Sequence, residues 1–174
     1  MKRIAILLLF ALVIGCSGGN SSEANKPTEA KPNKEETPKL TIKYQGMYAD
    51  KWAEKLYDAD RNVSLTGAKA LQKIGEEACP FFIKGMDSDI KHVEDHSITY
   101  FPLKYSAKHK DQLTPVIKKW IGNNETPLQR RVIYFVQHGK ITEFAPDLKK
   151  LTTSAKYPQV KRLAQKVLDE LPAS

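Results

Sequence analysis

Apolar residues recur along this chain at one helical spacing, and the recurrence leaves room for little except packed helical hairpins. In the first copy, Trp52 and Leu56 stand four apart, while Val63, Gly67, Leu71 and Ile74 step by four, four and three. Each set therefore lies along one face of a helix. Residues 58–60 separate the two faces, and Asp60 or Asn62 offers the side-chain oxygen that caps a second helix. Gly75 suits that helix's end. Neither helix is long enough to persist alone in water, so the two must pack together and against a neighbour.

With Val63 as anchor, Val93, Leu128 and Val160 take equivalent places at separations of 30, 35 and 32 residues, a period that belongs to repeat architectures. Four positions after each anchor come Gly67, Ser97, Val132 and Ala164, mostly small; eight positions after come Leu71, Phe101, Val136 and Leu168, all apolar. The first helices keep the same register. Trp52, Phe82 and Ile117 precede their anchors by eleven residues and Leu148 by twelve, and Leu56, Met86 and Ile121 precede theirs by seven. Pro80, Pro115 and Pro146 fall 13, 13 and 14 residues ahead, which predicts a proline in the first turn of three first helices, where its missing N–H costs nothing. The stretch 100–110, YFPLKYSAKHK, departs from the pattern at Pro102 and predicts a short second helix followed by a loop.

The string Asp58, Asp60, Val63, Ala68, Leu71, Ile74, Gly75 resembles HEAT-type repeats, particularly the short bacterial variety related to phycobilisome-lyase repeats. The resemblance covers residues 48–172 and implies an all-α fold, an α-α superhelix of about four hairpins. Ser64 stands where those repeats often carry arginine. Lyase activity is not implied, because such repeats recur in scaffolds of many kinds.

Ahead of the helices the chain changes character twice. Residues 1–15 place Lys2 and Arg3 before an unbroken apolar run from 4 to 14, too short to span a bilayer as a mature helix and suited to a secretory signal. Val13, Ile14, Gly15 and Cys16 resemble the lipobox of bacterial lipoproteins. That resemblance implies diacylglycerol on Cys16, cleavage before it, and a membrane anchor; Ser17 in place of aspartate points to the outer membrane, facing the periplasm. Residues 16–46 then read as the lipidated cysteine and a disordered linker, rich in Ser, Gly, Asn, Lys, Glu, Thr and Pro. Residues 47–174 form the repeat domain.

Charge bounds the partners. Without Lys2 and Arg3 the chain carries 26 basic and 20 acidic residues, a balance that suits an acidic protein surface, an acidic glycan or anionic lipid headgroups. An exported protein does not meet nucleic acid. If second helices share an exposed face, residues two, six and nine past each anchor collect there: Leu65, Lys69, Gln72, Asp95, Thr99, Arg130, Tyr134, Gln137, Arg162 and Lys166. This net-basic stripe, with Arg and Tyr as interface anchors, is the expected site for a protein partner in the envelope.

Chemistry is thinly signalled. His92 and His96 stand four apart, and His92 to His96 resembles the inverted zinc-protease motif, His, two residues, Glu, His, with Asp95 in place of the glutamate. No third ligand stands out, and a polar pair on a helix flank is ordinarily solvated, so no metal centre, cofactor or catalytic residue is expected. Cys79 beside Pro80 sits where a helix start lowers a thiol pKa, although a small buried residue fits the place as well. With Cys16 lipidated, it has no intramolecular partner. The expectation is a non-catalytic, lipid-anchored scaffold; the alternatives are a binder of acidic glycan or headgroups, a metal-dependent enzyme using His92 and His96, and a spacer for another envelope component.

Overall fold

The computed structural model describes residues 40–124 and 126–172, so Cys16 and the signal segment lie outside the described residues. Within them the fold is all-α, with eight helices in succession: α1 (Ala49–Leu56), α2 (Arg61–Ile74), α3 (Cys79–Gly85), α4 (Lys91–Tyr100), α5 (Lys110–Trp120), α6 (Thr126–Gly139), α7 (Ala145–Ser154) and α8 (Pro158–Glu170). They pair in chain order, α1 with α2, α3 with α4, α5 with α6 and α7 with α8. The second members also pack on one another, α2 on α4, α4 on α6 and α6 on α8.

The apolar register is the packing register. Trp52, Phe82, Ile117 and Leu148 are buried on the first helices, as are Leu56, Met86 and Ile121 near their ends. On the second helices Val93, Leu128 and Val160 are buried and Val63 is half-buried, while Gly67, Ser97, Val132 and Ala164 are all out of solvent. The small residues are there for close approach. A Cβ on Gly67 would lie 2.4 Å from the Leu56 nitrogen and 2.7 Å from the Trp52 carbonyl oxygen, both backbone atoms of α1.

Polar side chains close the hairpins at a position the apolar pattern does not reveal. One residue past the anchor, Ser64 Oγ donates to the Leu56 carbonyl at 2.7 Å, and Gln129 Nε2 donates to the Ile121 carbonyl at 2.9 Å. In each hairpin the acceptor sits eight residues back, at the end of the first helix, where backbone carbonyls lack helical donors. Glu94 occupies the same position in the second hairpin and has no proton to give. It turns to the next unit instead, accepting from Trp120 Nε1 at 3.1 Å and pairing with Lys119 Nζ at 2.5 Å.

Two expectations need correction. Pro80 and Pro146 are the second residues of α3 and α7, each after a 3₁₀ turn (Glu76–Ala78 and Thr142–Phe144), but Pro115 lies inside α5. That helix starts at Lys110, about one turn earlier than the shared register predicts, because its lead-in continues as α-helix instead of a 3₁₀ turn. Pro115 is exposed, so the carbonyl deprived of its N–H can be met by water.

The second correction concerns residues 40–46, which composition assigns to the linker. Strands β1 (Lys43–Tyr44) and β2 (Met47–Tyr48) pair antiparallel, Lys43 opposite Tyr48 and Tyr44 opposite Met47. The intervening Gln45 and Gly46 have φ of 49° and 79°, the left-handed pair of a type I′ turn. Trp52 Nε1 donates to the Tyr44 carbonyl at 3.0 Å, and Leu40 and Tyr44 rest on the core. Glu77 accepts the amides of Thr41 at 3.1 Å and Ile42 at 2.9 Å, together with the Thr41 hydroxyl. Chiefly through that hydroxyl, these donors hold the Glu77 carboxyl below its ordinary range.

The irregular stretch behaves as predicted. α4 stops at Tyr100, Phe101 turns extended, and only a 3₁₀ turn (Leu103–Tyr105) precedes α5. Pro102 has no N–H to offer the Ile98 carbonyl four residues back. Arg131 of α6 supplies the donor in its place, Nε to Ile98 O at 3.2 Å, and Nη2 reaches the Phe101 carbonyl beside it.

Candidate functional site

The second helices keep their apolar residues for the core, which leaves a face of mixed polarity along α2, α4, α6 and α8. Lys69, Gln72, Thr99, Arg130, Arg162 and Lys166 are exposed on it, and Leu65, Asp95, Tyr134 and Gln137 are half-buried. Gln137 Nε2 donates to Glu170 Oε2 at 2.5 Å and Lys166 lies 3.8 Å from the same carboxylate, so this end of the row joins α6 to α8.

At the other end, two of the expected residues meet in a recess. Lys69 and Gln72 line a cleft of about 420 Å³ together with Tyr44, Trp52, Lys73 and Tyr100. The wall formed by α2 uses positions three, six, seven, nine and ten past Val63, from Thr66 to Lys73, so the cleft is turned slightly from the stripe expected at two, six and nine. Lys73, one helical turn beyond Lys69, is a basic neighbour the sequence pattern passes over. Tyr44 is missed because it sits in the segment read as linker, and Tyr100 because it adjoins the Pro102 break. No acidic side chain lines this cleft.

The histidine pair has a packing role. Ser64 spends its proton on the Leu56 carbonyl, so the 3.0 Å contact with His96 Nδ1 is a bond donated by the imidazole. His92 Nε2 donates to the Asp58 carbonyl at 3.1 Å. Both rings thus fasten α4 to the start of α2 and to the turn before it, with centroids 5.9 Å apart. A metal ion would be left with the other nitrogen of each, and among the described residues no cluster of three or more His, Cys, Asp or Glu side chains is assembled.

Burial above all, then His92 and Arg61, holds His96 below the ordinary histidine value of 6.5; Asp95 opposes this and Lys69 adds to it. A base depressed in the folded state binds its proton more readily when unfolded, so the stability it contributes is present above about pH 6.5 and is lost as pH falls toward the folded value. The melting temperature is therefore expected to drop between pH 7.5 and 5.5, and to drop less in His96→Gln, which keeps a donor but cannot titrate. Parallel thermal melts across that range check this, and equal drops in the two proteins would contradict it.

Cys79 offers no activated thiol. It is fully buried at the start of α3 with Sγ 3.8 Å from the Gly75 carbonyl oxygen, and burial pushes its pKa up to about 12, the direction opposite to the lowering that a helix start gives an exposed thiol. Compared with known proteins, the chain matches no family model and no curated sequence.

Proposed function

We propose that this protein is a lipid-anchored component of a bacterial envelope whose helical hairpins, stacked in the manner of HEAT repeats, serve as a docking scaffold for a protein partner. The observation that carries this reading is the unbroken row of second helices, each packed on the next, with a face left to mixed polar and aromatic side chains. Such a row offers an extended recognition surface without any single deep pocket. Anchoring rests on the Val-Ile-Gly-Cys string ending at Cys16, and several acyl chains, each methylene contributing about 0.8 kcal/mol, make such an anchor stable. Palmitate labelling is expected in the wild type and absent in Cys16→Ala. In-cell crosslinking is expected to capture a discrete envelope protein that is lost in an Arg130→Glu, Arg162→Glu variant; retention of every crosslinked species would remove the docking proposal.

One observation favours a second reading. Residues 40–109 carry ten basic and ten acidic residues, whereas residues 110–172 carry twelve and six, so the whole positive excess of the mature chain belongs to the last two hairpins. That polarity suits an acidic glycan or a headgroup surface. Binding of that kind weakens steeply with added salt, whereas a partner held by apolar and hydrogen-bonded contacts persists.

A further inference from the structure

We propose that the cleft between the β1–β2 hairpin and α2 binds an extended peptide segment with acidic side chains at alternate positions. This rests on reading the second-helix face as a docking surface, and names what its first station takes. The walls supply Lys69 and Lys73 with Tyr44 and Tyr100 beside them, over a floor formed by the nearly buried Trp52. Neither lysine pairs with a carboxylate among the described residues, although ion pairs engage Lys51, Lys91, Lys108 and Lys119 elsewhere in the protein. Two uncommitted cations in a recess without an acidic wall set the sign of the occupant.

Their spacing sets its conformation. Residues four apart on a helix are separated by about 6 Å along the axis. In an extended chain, side chains on the same edge repeat every second residue, at about 6.6 Å. Carboxylates at positions i and i+2 of such a segment meet Lys69 and Lys73 in turn. Adjacent carboxylates point to opposite edges and reach only one of them. The tyrosines and Gln72 provide hydroxyl and amide groups to the segment's backbone, and the ring faces cover its intervening side chains.

The test uses the full chain and two fluorescein-labelled hexapeptides of alanine with two glutamates, one with the glutamates at alternate positions and one with them adjacent. Fluorescence anisotropy is expected to show tighter binding of the alternating peptide, a loss of about tenfold in Lys69→Glu, Lys73→Glu, and little change in Arg130→Glu, Arg162→Glu. Circular dichroism and melting of both variants verify that these exposed substitutions leave the fold intact. Equal affinity for the two peptides, no binding of either, or binding only to phosphatidylglycerol vesicles through the same lysines would overturn the inference. Equal loss in the arginine variant would also overturn it, by placing acidic recognition along the whole row. The scaffold proposal stands or falls separately, on the crosslinked partner.

Discussion

Gly67→Ala is expected to destabilise the protein by about 1–3 kcal/mol, although the same exchange in an ordinary helix interior gains about 1 kcal/mol. The sign reverses because the new methyl group meets backbone and not a yielding side chain. Its three nearest neighbours would be the Leu56 nitrogen at 2.4 Å, the Trp52 carbonyl oxygen at 2.7 Å and the Lys55 carbonyl carbon at 2.8 Å, and α1 would have to move away to admit it. Gly67→Leu extends the clash and is expected to lose more. Gly122, with nothing within 4 Å of its added Cβ, serves as the control: Gly122→Ala should leave the urea midpoint nearly unchanged. Equal midpoints for Gly67→Ala and wild type would contradict the close crossing of α1 and α2.

Arg131→Met is expected to cost about 2–4 kcal/mol, whereas Arg130→Met, one residue away, should fall within about 0.5 kcal/mol of wild type. Arg131 is half-buried, and burial draws its pKa below the ordinary range, yet its guanidinium serves the Ile98 and Phe101 carbonyls and lies 5.8 Å from the Phe135 ring centroid. Methionine preserves the packing and removes every donor, which leaves the end of α4 open because Pro102 has no N–H to contribute. Arg130 faces solvent. Urea titration of both variants, read by far-ultraviolet circular dichroism, provides the comparison. Arg131→Lys should recover only part of the loss, since an ammonium on a flexible stem does not present two donors in a fixed fork.

These two sites mark what the sequence makes legible. Gly67 is legible because a small residue four places past an apolar anchor recurs in Ser97 and Ala164, and close packing is written in side-chain size. Arg131 is not, since its partners are main-chain oxygens 30 and 33 residues away and nothing local in the Arg130–Arg131 dipeptide separates the exposed cation from the half-buried one. The same holds for Ser64, Glu94 and Gln129, polar residues in line after their anchors that resemble solvated positions until the neighbouring helix end is known. Residues 40–46 escape for another reason. A hairpin with two residues per strand carries too little alternation to be seen, and only the Gln45–Gly46 pair hints at a turn. Of the expected partner-binding residues, Lys69 and Gln72 meet in one cleft, while Lys73, Tyr44 and Tyr100 depend on how α2, α4 and the hairpin are juxtaposed. Cys16 rests on its own motif, outside the described residues.

The carboxylate of Glu77 has a mechanical consequence. Any tension arriving along the chain from residues before 40 meets Thr41 and Ile42, whose amides are gripped by a side chain from the lead-in to α3. The load is thereby handed to the second hairpin before it reaches the start of α1. A pull from that side is borne in parallel by several bonds and by the Trp52 to Tyr44 link behind them, instead of unzipping the first helix one turn at a time. Under the proposed anchoring at Cys16, that is the difference between a cleat and a loose thread.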